Sequence, residues 1–156
     1  MRILVLSDSP GVMRYMEQAA ERERPDLILH LGDYERDAER LASRYPEYPV
    51  RSVPGNCDHP WPNRPLALLQ ELEGFRVLMT HGHAYGVKRG LLSMELAARE
   101  AGADAAVFGR THTAYCENSN GIWLMNPGAC GGGRSSYGVI LIENGSLRCY
   151  TAGIDQ

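Results

Sequence analysis

The chain has 156 residues, of which 44% are hydrophobic and 22% are charged, the composition of an ordinary globular protein. This length suffices for one domain with a real core, and we expect a single domain over residues 1–156. The net charge is −3 and the basic residues form no run, which argues against a nucleic-acid surface. Apolar stretches fall well short of the roughly 20 residues of a membrane span.

The four cysteines, at positions 57, 116, 130 and 149, contain no CxxC pair and suggest neither a zinc knuckle nor a disulfide framework. Met1 leads directly into a strand-like run, so we expect no signal peptide. Both observations favour a reduced, cytoplasmic setting.

The first part of the chain alternates strand and helix patterns. Short aliphatic runs predict strands over residues 2–7, 26–31 and 50–53. Apolar residues at helical spacing predict one helix over residues 11–23 and a second that ends at Pro46. Alternation of this kind predicts parallel strands joined by crossovers.

The remainder begins with a turn-rich loop and then becomes rich in short strands. We expect a loop over 54–65, strands over 66–72, 75–80 and 104–108, a helix over 88–101, and four strands over 114–117, 122–125, 137–142 and 147–150. Ser-Asn-Gly and Glu-Asn-Gly turns separate the last strands, as in hairpins. This β-meander behind a βα front predicts two packed sheets with helices outside.

Polar residues follow five predicted strands at their carboxyl ends. They are Asp8, Asp33, the run Asn56-Cys57-Asp58, the pair His81 and His83, and the pair Arg110 and His112. Such ends share one edge of an open α/β sheet, where ligands bind. Singly, a Gly-Asp pair is typical of a turn and a lone histidine of a structural hydrogen bond. His30, inside a strand, is expected to be a structural residue or to support a ligand, not to be a ligand itself. Together, two Asp, one Asn and two His suit manganese, iron, zinc or nickel.

The order of these motifs resembles the calcineurin-like metallophosphoesterase superfamily, in its small single-domain phosphodiesterase branch. The family pattern is D-x-H, G-D, G-N-C-D, H-G-H and G-H-T-H. The corresponding segments here are Asp8-Ser9-Pro10, Gly32-Asp33, Gly55-Asn56-Cys57-Asp58, His81-Gly82-His83 and Gly109-Arg110-Thr111-His112. Asn126-Pro127-Gly128 resembles a further family element, a turn beneath the site.

The resemblance implies an α/β fold, a four-layer αββα sandwich of two mixed β-sheets flanked by helices. It also implies two adjacent divalent metal ions, with manganese expected first and iron, zinc or nickel as alternatives, and a homodimer or larger assembly. Such ions polarise a phosphoryl group and lower the pKa of a bound water.

Carried over residue by residue, the family pattern assigns ligands to each ion. Asp8, Asp33 and His112 would hold the first ion. Asp33, as a bridge, with Asn56 and His81 would hold the second. Asp58 and His83 are candidates for supporting or contacting the substrate.

Two departures remove one ligand from each metal site. Pro10 replaces the D-x-H histidine and Arg110 replaces the first histidine of G-H-T-H, and neither side chain can ligate. A guanidinium about 5 Å from a dication costs on the order of 6 kcal/mol at an effective dielectric constant near 20. Three states follow: one ion in the first site with Arg110 in place of the second, two ions with Arg110 turned to solvent, or a metal-free protein.

The leading functional hypothesis is metal-dependent hydrolysis of a phosphodiester or phosphomonoester, weakened by the two lost histidines, with a small phosphorylated substrate. The alternative is a non-catalytic scaffold, or a protein that binds phosphate or nucleotide, on the same fold. Exposed apolar patches would favour a scaffold, and Trp61 and Trp123 are the candidates, with core packing as the competing interpretation.

Overall fold

A computed structural model describes residues 1–9, 13–33, 35–55, 58, 65–131 and 134–154. The strands are β1 (Arg2–Leu6), β2 (Leu27–His30), β3 (Val50–Ser52), β4 (Ala67–Leu72), β5 (Phe75–Thr80), β6 (Ala105–Val107), β7 (Tyr115–Ser119), β8 (Ile122–Asn126), β9 (Ser136–Glu143) and β10 (Ser146–Gly153). The helices are α1 (Met13–Glu23), α2 (Glu35–Arg44) and α3 (Leu92–Glu100), and His83–Tyr85 forms one 3-10 turn. None of the helices in this part of the chain has the length and apolar character needed to cross a membrane.

The strands form two five-stranded mixed sheets. The first has the order β10-β9-β1-β2-β3, in which β1, β2 and β3 run parallel and the β9–β10 hairpin pairs with β1 antiparallel. The second has the order β4-β5-β6-β8-β7, in which β5, β6 and β8 run parallel between two antiparallel edge strands. The predicted crossovers over residues 2–53 are thereby confirmed.

Strand alternation generates three apolar layers. In β1, Ile3 and Val5 pack into the core shared by the two sheets, whereas Leu4 and Leu6 pack with residues of α1 and α2. Successive side chains of a strand point to opposite faces, so a strand that is apolar throughout must be covered on both sides. In the second sheet, Leu78 of β5 packs with Met94 and Ala98 of α3. The four-layer αββα sandwich expected from the sequence is thus confirmed.

Two expectations about individual elements are wrong. The helix predicted over 88–101 begins only at Leu92, because residues 86–91 form turns in which Gly86 and Gly90 take φ values of 61° and 146°. The last four strands do not form one meander: β7 and β8 join the second sheet, whereas β9 and β10 join the first. Hairpin turns report on neighbouring strands but not on which sheet a hairpin enters.

Trp123 packs against the core and does not form part of an exposed apolar patch, which confirms the core-packing interpretation. It is half-buried against the layer between the sheets, and its Nε1 donates to the Leu147 carbonyl at 3.1 Å, linking β8 to β10. Trp61, Cys57, Pro10 and Asn56 lie outside the described residues.

Candidate active site

Three of the sequence-predicted ligands converge where strands of the two sheets end. Asp8 follows β1, Asp33 follows β2 and His81 follows β5, and one ligand atom from each lies within 4.8 Å of the others. All three residues are buried. Asp8 and Asp33 lie at the carboxyl ends of parallel strands of the first sheet, and His81 lies at the carboxyl end of β5 in the second sheet, so the two sheets bring their strand ends together here.

The His81 ring is oriented by the backbone of the other sheet. Its Nδ1 lies 2.9 Å from the Leu31 carbonyl oxygen, which can only accept, so Nδ1 carries the proton. Its Nε2 then faces the carboxylates, at 3.5 Å from Asp33 Oδ2 and 3.8 Å from Asp8 Oδ1. A carbonyl that holds one ring nitrogen while the other faces acidic ligands is the usual arrangement of a metal-binding histidine.

The two oxygens of Asp8 have different surroundings. Oδ2 accepts hydrogen bonds from Ser7 Oγ at 2.7 Å and from the Arg110 backbone N–H at 3.2 Å. Oδ1 is buried, and no donor within the described residues forms a hydrogen bond to it, although His112 Nε2 lies 3.1 Å away. A buried carboxylate oxygen without a hydrogen bond is costly unless a cation or a water satisfies it.

Close backbone approach at two glycines makes this convergence possible. A Cβ on Gly109 would overlap Ser7 Oγ and lie 2.8 Å from Asp8 Oδ2. A Cβ on Gly55 would overlap Asp33 Oδ1 and the Asp33 backbone nitrogen. Only glycine therefore fits at either position, where a loop lies directly against an acidic side chain.

Backbone strain is concentrated at the same place. Asp8, Asp33, Arg110 and His112 have φ values of 53°, 52°, 72° and 62°, in the left-handed region. Asp and His enter this region more readily than most side chains, whereas Arg rarely adopts it. Such conformations persist where the surrounding structure over-determines them, as it does at functional sites.

Asn126 positions the loop that carries Arg110 and His112. Its buried Nδ2 donates to the Gly109 carbonyl and to Thr111 Oγ1, both at 2.9 Å, and its Oδ1 accepts from the Gly128 N–H at 2.9 Å. Asn126-Pro127-Gly128 could be identified in the sequence as a turn, but these contacts with residues 109–111 could not.

His30 is a structural residue rather than a ligand, as expected. The Gly32 N–H donates to its Nδ1 at 3.3 Å, so Nε2 carries the proton and donates to Ser9 Oγ at 2.9 Å. Burial lowers the pKa of His30 to about 4. The neutral ring therefore joins the loops that follow β1 and β2.

The remaining predicted residues surround the buried cluster. His83 is half-buried, with its ring centroid 5.6 Å from that of His81, and burial followed by the charges of His81 and Arg110 lowers its pKa. Asp58 Oδ2 accepts a hydrogen bond from the Gly55 N–H at 2.8 Å, so this carboxylate contacts the backbone three residues before it. His112 is 61% exposed and reaches the cluster only through Asp8.

The ligands of the two expected metal sites thus meet in a single cluster. Asp8 comes from the first expected set, His81 from the second, and Asp33 is shared by both. Asn56, the remaining oxygen ligand of the second set, lies outside the described residues.

The donor set fits a divalent cation. Two carboxylates that are only 4% and 6% exposed lie within reach of one imidazole, and their negative charges repel each other unless a cation neutralises them. Two carboxylate oxygens and one imidazole nitrogen suit manganese, iron or zinc without selecting among them.

Comparison with known proteins identifies the family of this chain. The family model for the calcineurin-like phosphoesterase superfamily domain matches residues 1–145. YsnB of Bacillus subtilis (strain 168), named as a probable metallophosphoesterase, is 35% identical over 151 residues that cover 92% of this chain and 86% of YsnB.

Two solved structures share the fold. A Streptococcus pneumoniae protein described as a predicted phosphoesterase has a TM-score of 0.79 at 25% identity, over 97% of this chain and 88% of its own. Vps29 of Chaetomium thermophilum has a TM-score of 0.81 at 17% identity, over 99% of this chain and 89% of its own, and shows the fold alone. On the strength of the family match and the related sequences, this chain belongs to the calcineurin-like phosphoesterase superfamily.

Proposed function

We propose that this chain is a metal-dependent phosphoesterase that hydrolyses a small phosphodiester or phosphomonoester. It would use one divalent cation, for which manganese is the expected metal. The observation that carries this proposal is the buried Asp8–Asp33–His81 cluster, which brings two carboxylates and one imidazole within reach of a single cation. The family description and the name of the Bacillus subtilis relative agree with phosphoester chemistry.

The roles of the chain's own residues follow from their contacts. Asp8 and Asp33 supply the negative charge that retains a cation, and the Leu31 carbonyl keeps His81 Nε2 directed at it. A bound divalent cation supplies Lewis acidity and a nucleophile derived from water. In the net reaction, a bond forms between water oxygen and phosphorus, the ester P–O bond breaks, and the departing oxygen takes up a proton.

We infer that Arg110 binds the phosphoryl oxygens. Its backbone N–H contacts Asp8 and its side chain lines a pocket beside His83, so it stands at the entrance of the cluster. An arginine binds phosphate in bidentate fashion but cannot ligate a metal. We therefore infer one ion per chain and a rate lower than that of a protein with the complete ligand set.

The decisive test is turnover with added manganese. Bis-p-nitrophenyl phosphate and 2′,3′-cyclic nucleotides are suitable substrates, and Asp33→Asn should abolish hydrolysis. Asp104→Asn is the matched control, because Asp104 accepts from the Arg76 backbone N–H away from the cluster. Equal activity in the two variants, or two tightly bound ions per chain by elemental analysis, would overturn the proposal.

A non-catalytic scaffold is the second candidate. Leu92 and Leu96 lie four residues apart on α3 and are 68% and 55% exposed, which favours contact with a partner protein. Absence of turnover with every metal, together with loss of partner binding in Leu92→Ser, would favour this candidate over the enzyme.

We also propose that the protein works in a reducing, cytoplasmic setting. Cys116, Cys130 and Cys149 are free thiols, and burial raises the pKa of Cys130 to about 12, so that thiol is poorly reactive. These features support the reducing, cytoplasmic setting expected from the sequence. A homodimer stays a prediction, to be checked by light scattering.

A further inference from the structure

A basic pocket adjoins the metal cluster. It has a volume of about 390 Å³ and is lined by His83, Gly86, Val87, Lys88, Arg89 and Arg110. The turn after β5 supplies all of these except Arg110, which follows β6. A hydrogen bond from the Gly109 N–H to the His81 carbonyl, at 2.9 Å, holds the two segments side by side.

The charge of this pocket is unusual for the chain. The protein has a net charge of −3 and a single lysine, Lys88, which lies here beside Arg89 and Arg110. None of the described lining residues is acidic, and none of the three cations has an ion-pair partner within the described parts of the chain. Uncompensated cations around a concave site attract an anion.

The turn that presents Lys88 and Arg89 is anchored on both sides. Val87 is buried, and its Cγ2 lies 2.9 Å from where a Cβ on Gly82 would stand, so the Val87 side chain packs against Gly82. The Arg89 N–H donates to the Gly86 carbonyl at 2.8 Å. Both cationic side chains are exposed at the pocket, which suits contact with a solute.

The pocket is one side chain away from the proposed reaction centre. His83 lines it, and the His83 ring centroid lies 5.6 Å from that of His81, whose Nε2 faces Asp33. In a molecule whose phosphoryl group lies at the cluster, the neighbouring part would therefore lie near Arg110, Lys88 and Arg89.

We propose that this pocket is a subsite for a second phosphoryl group, so that the preferred substrates are small phosphoesters that carry another phosphate beyond the one that reacts. That the bound molecule is a substrate rests on the proposed function. The subsite itself can be tested by binding alone. Arg89 would bind this second phosphate through paired N–H groups and Lys88 as a point charge, whereas Arg110 contacts the phosphoryl group that reacts. Binding energy gained there would lower KM or raise kcat for such substrates.

Lys88 makes a direct binding test practicable. Because it is the only lysine, its acetylation by an N-hydroxysuccinimide ester can be followed on one peptide by mass spectrometry. Thymidine 3′,5′-bisphosphate and thymidine 5′-monophosphate differ by one phosphate and serve as matched probes, with manganese in excess. The Met1 amine, which donates to the Ile142 carbonyl, is the internal control.

We expect the bisphosphate to slow acetylation of Lys88 about tenfold more than the monophosphate does, since a charge-assisted phosphate contact is lost when the amine reacts. Equal protection by the two probes would overturn the subsite, whatever the enzyme assay shows. Because this readout needs no turnover, an inactive protein would refute the proposed function and leave the subsite to be decided by labelling.

Kinetics supply the second test. The p-nitrophenyl esters of the same two nucleotides report kcat/KM for each, and Lys88→Gln with Arg89→Gln should lower the ratio of the two constants about tenfold. Arg40→Gln with Arg44→Gln, on α2, removes the same charge from a different groove and should preserve that ratio. An unchanged ratio in the pocket variant would contradict the inference.

Discussion

Lowering the pH is expected to destabilise this protein through His30. Its side chain is 0% exposed, and burial lowers its pKa to about 4 from an ordinary value of 6.5, with Asp58 and Asp33 opposing the shift and His81 adding to it. Both ring nitrogens are engaged in the neutral form, one accepting from Gly32 and the other donating to Ser9. Protonation would turn Nδ1 into a donor facing the Gly32 N–H.

The direction and size of this loss of stability follow from the difference in the pKa of His30 between the folded and unfolded chain. The unfolded chain binds a proton near pH 6.5, whereas the folded chain resists it until about pH 4, so stability is complete above pH 6.5 and declines as the pH falls toward 4. At 1.36 kcal/mol per pKa unit, the loss reaches about 3 kcal/mol at pH 4 and is about 2 kcal/mol at pH 5. That is a large share of the stability of a typical domain.

The assay is urea unfolding at pH 7.5 and pH 5 in the presence of a chelator, so that metal release does not contribute. His30→Gln cannot titrate and isolates the contribution of this one side chain. The free energy of unfolding of the natural protein should fall by about 2 kcal/mol more than that of the variant between the two values. In the natural protein, the ring resonances of His30 should show no protonation step near pH 6.5.

Parallel losses of stability in the natural protein and His30→Gln would refute this reasoning. So would a His30 resonance that titrates near pH 6.5, because it would show that the ring accepts a proton inside the fold.

Three further outcomes concern the loop beside the cluster. Gly109→Ala should weaken manganese binding by about tenfold or more, because its Cβ would lie 2.8 Å from Asp8 Oδ2. Gly153→Ala is the control and should leave the affinity unchanged, because no atom lies within 4 Å of the added Cβ. Equal affinities of the two variants in a metal titration would contradict this prediction. Asn126→Ala should lower the free energy of unfolding by about 1–3 kcal/mol in a urea titration, because it leaves the Gly109 carbonyl without its donor; an unchanged midpoint would count against that role. Arg110→His should tighten manganese binding by about tenfold, because it removes a fixed positive charge and adds an imidazole; unchanged affinity would show that residue 110 does not face the ion.

Chain order and hydrophobic pattern were enough to predict most of the fold. Short aliphatic runs such as residues 2–7 and 104–108 are typical of buried strands, and strands separated by helical stripes are expected to run parallel. The polar residues at the strand ends therefore indicated that Asp8, Asp33 and His81 lie close together. The expectation of one sheet edge was wrong, because β5 belongs to the second sheet. The family motifs supplied the rest of that prediction, namely the sandwich and the phosphoester chemistry.

Local signals misled where backbone geometry competes with side-chain pattern. The stripe over 88–101 has helical spacing, but Gly86 and Gly90 adopt left-handed φ values and delay α3 to Leu92. Lys88 and Arg89 consequently stand on a turn at the pocket instead of on a helix. No periodicity over a short window can show that.

The sequence by itself determined which polar residue types follow the carboxyl ends of the strands, because each aliphatic run ends directly before them. Only the tertiary structure decided that Asp8, from one expected metal site, and His81, from the other, share one cluster with Asp33. It also decided that Asn126 holds the loop of Arg110 and that the single lysine lies beside that arginine. The physical reason is that these contacts join separate segments and both sheets, and they depend on close approach at glycines and on hydrogen bonds that exist only once the two sheets have packed.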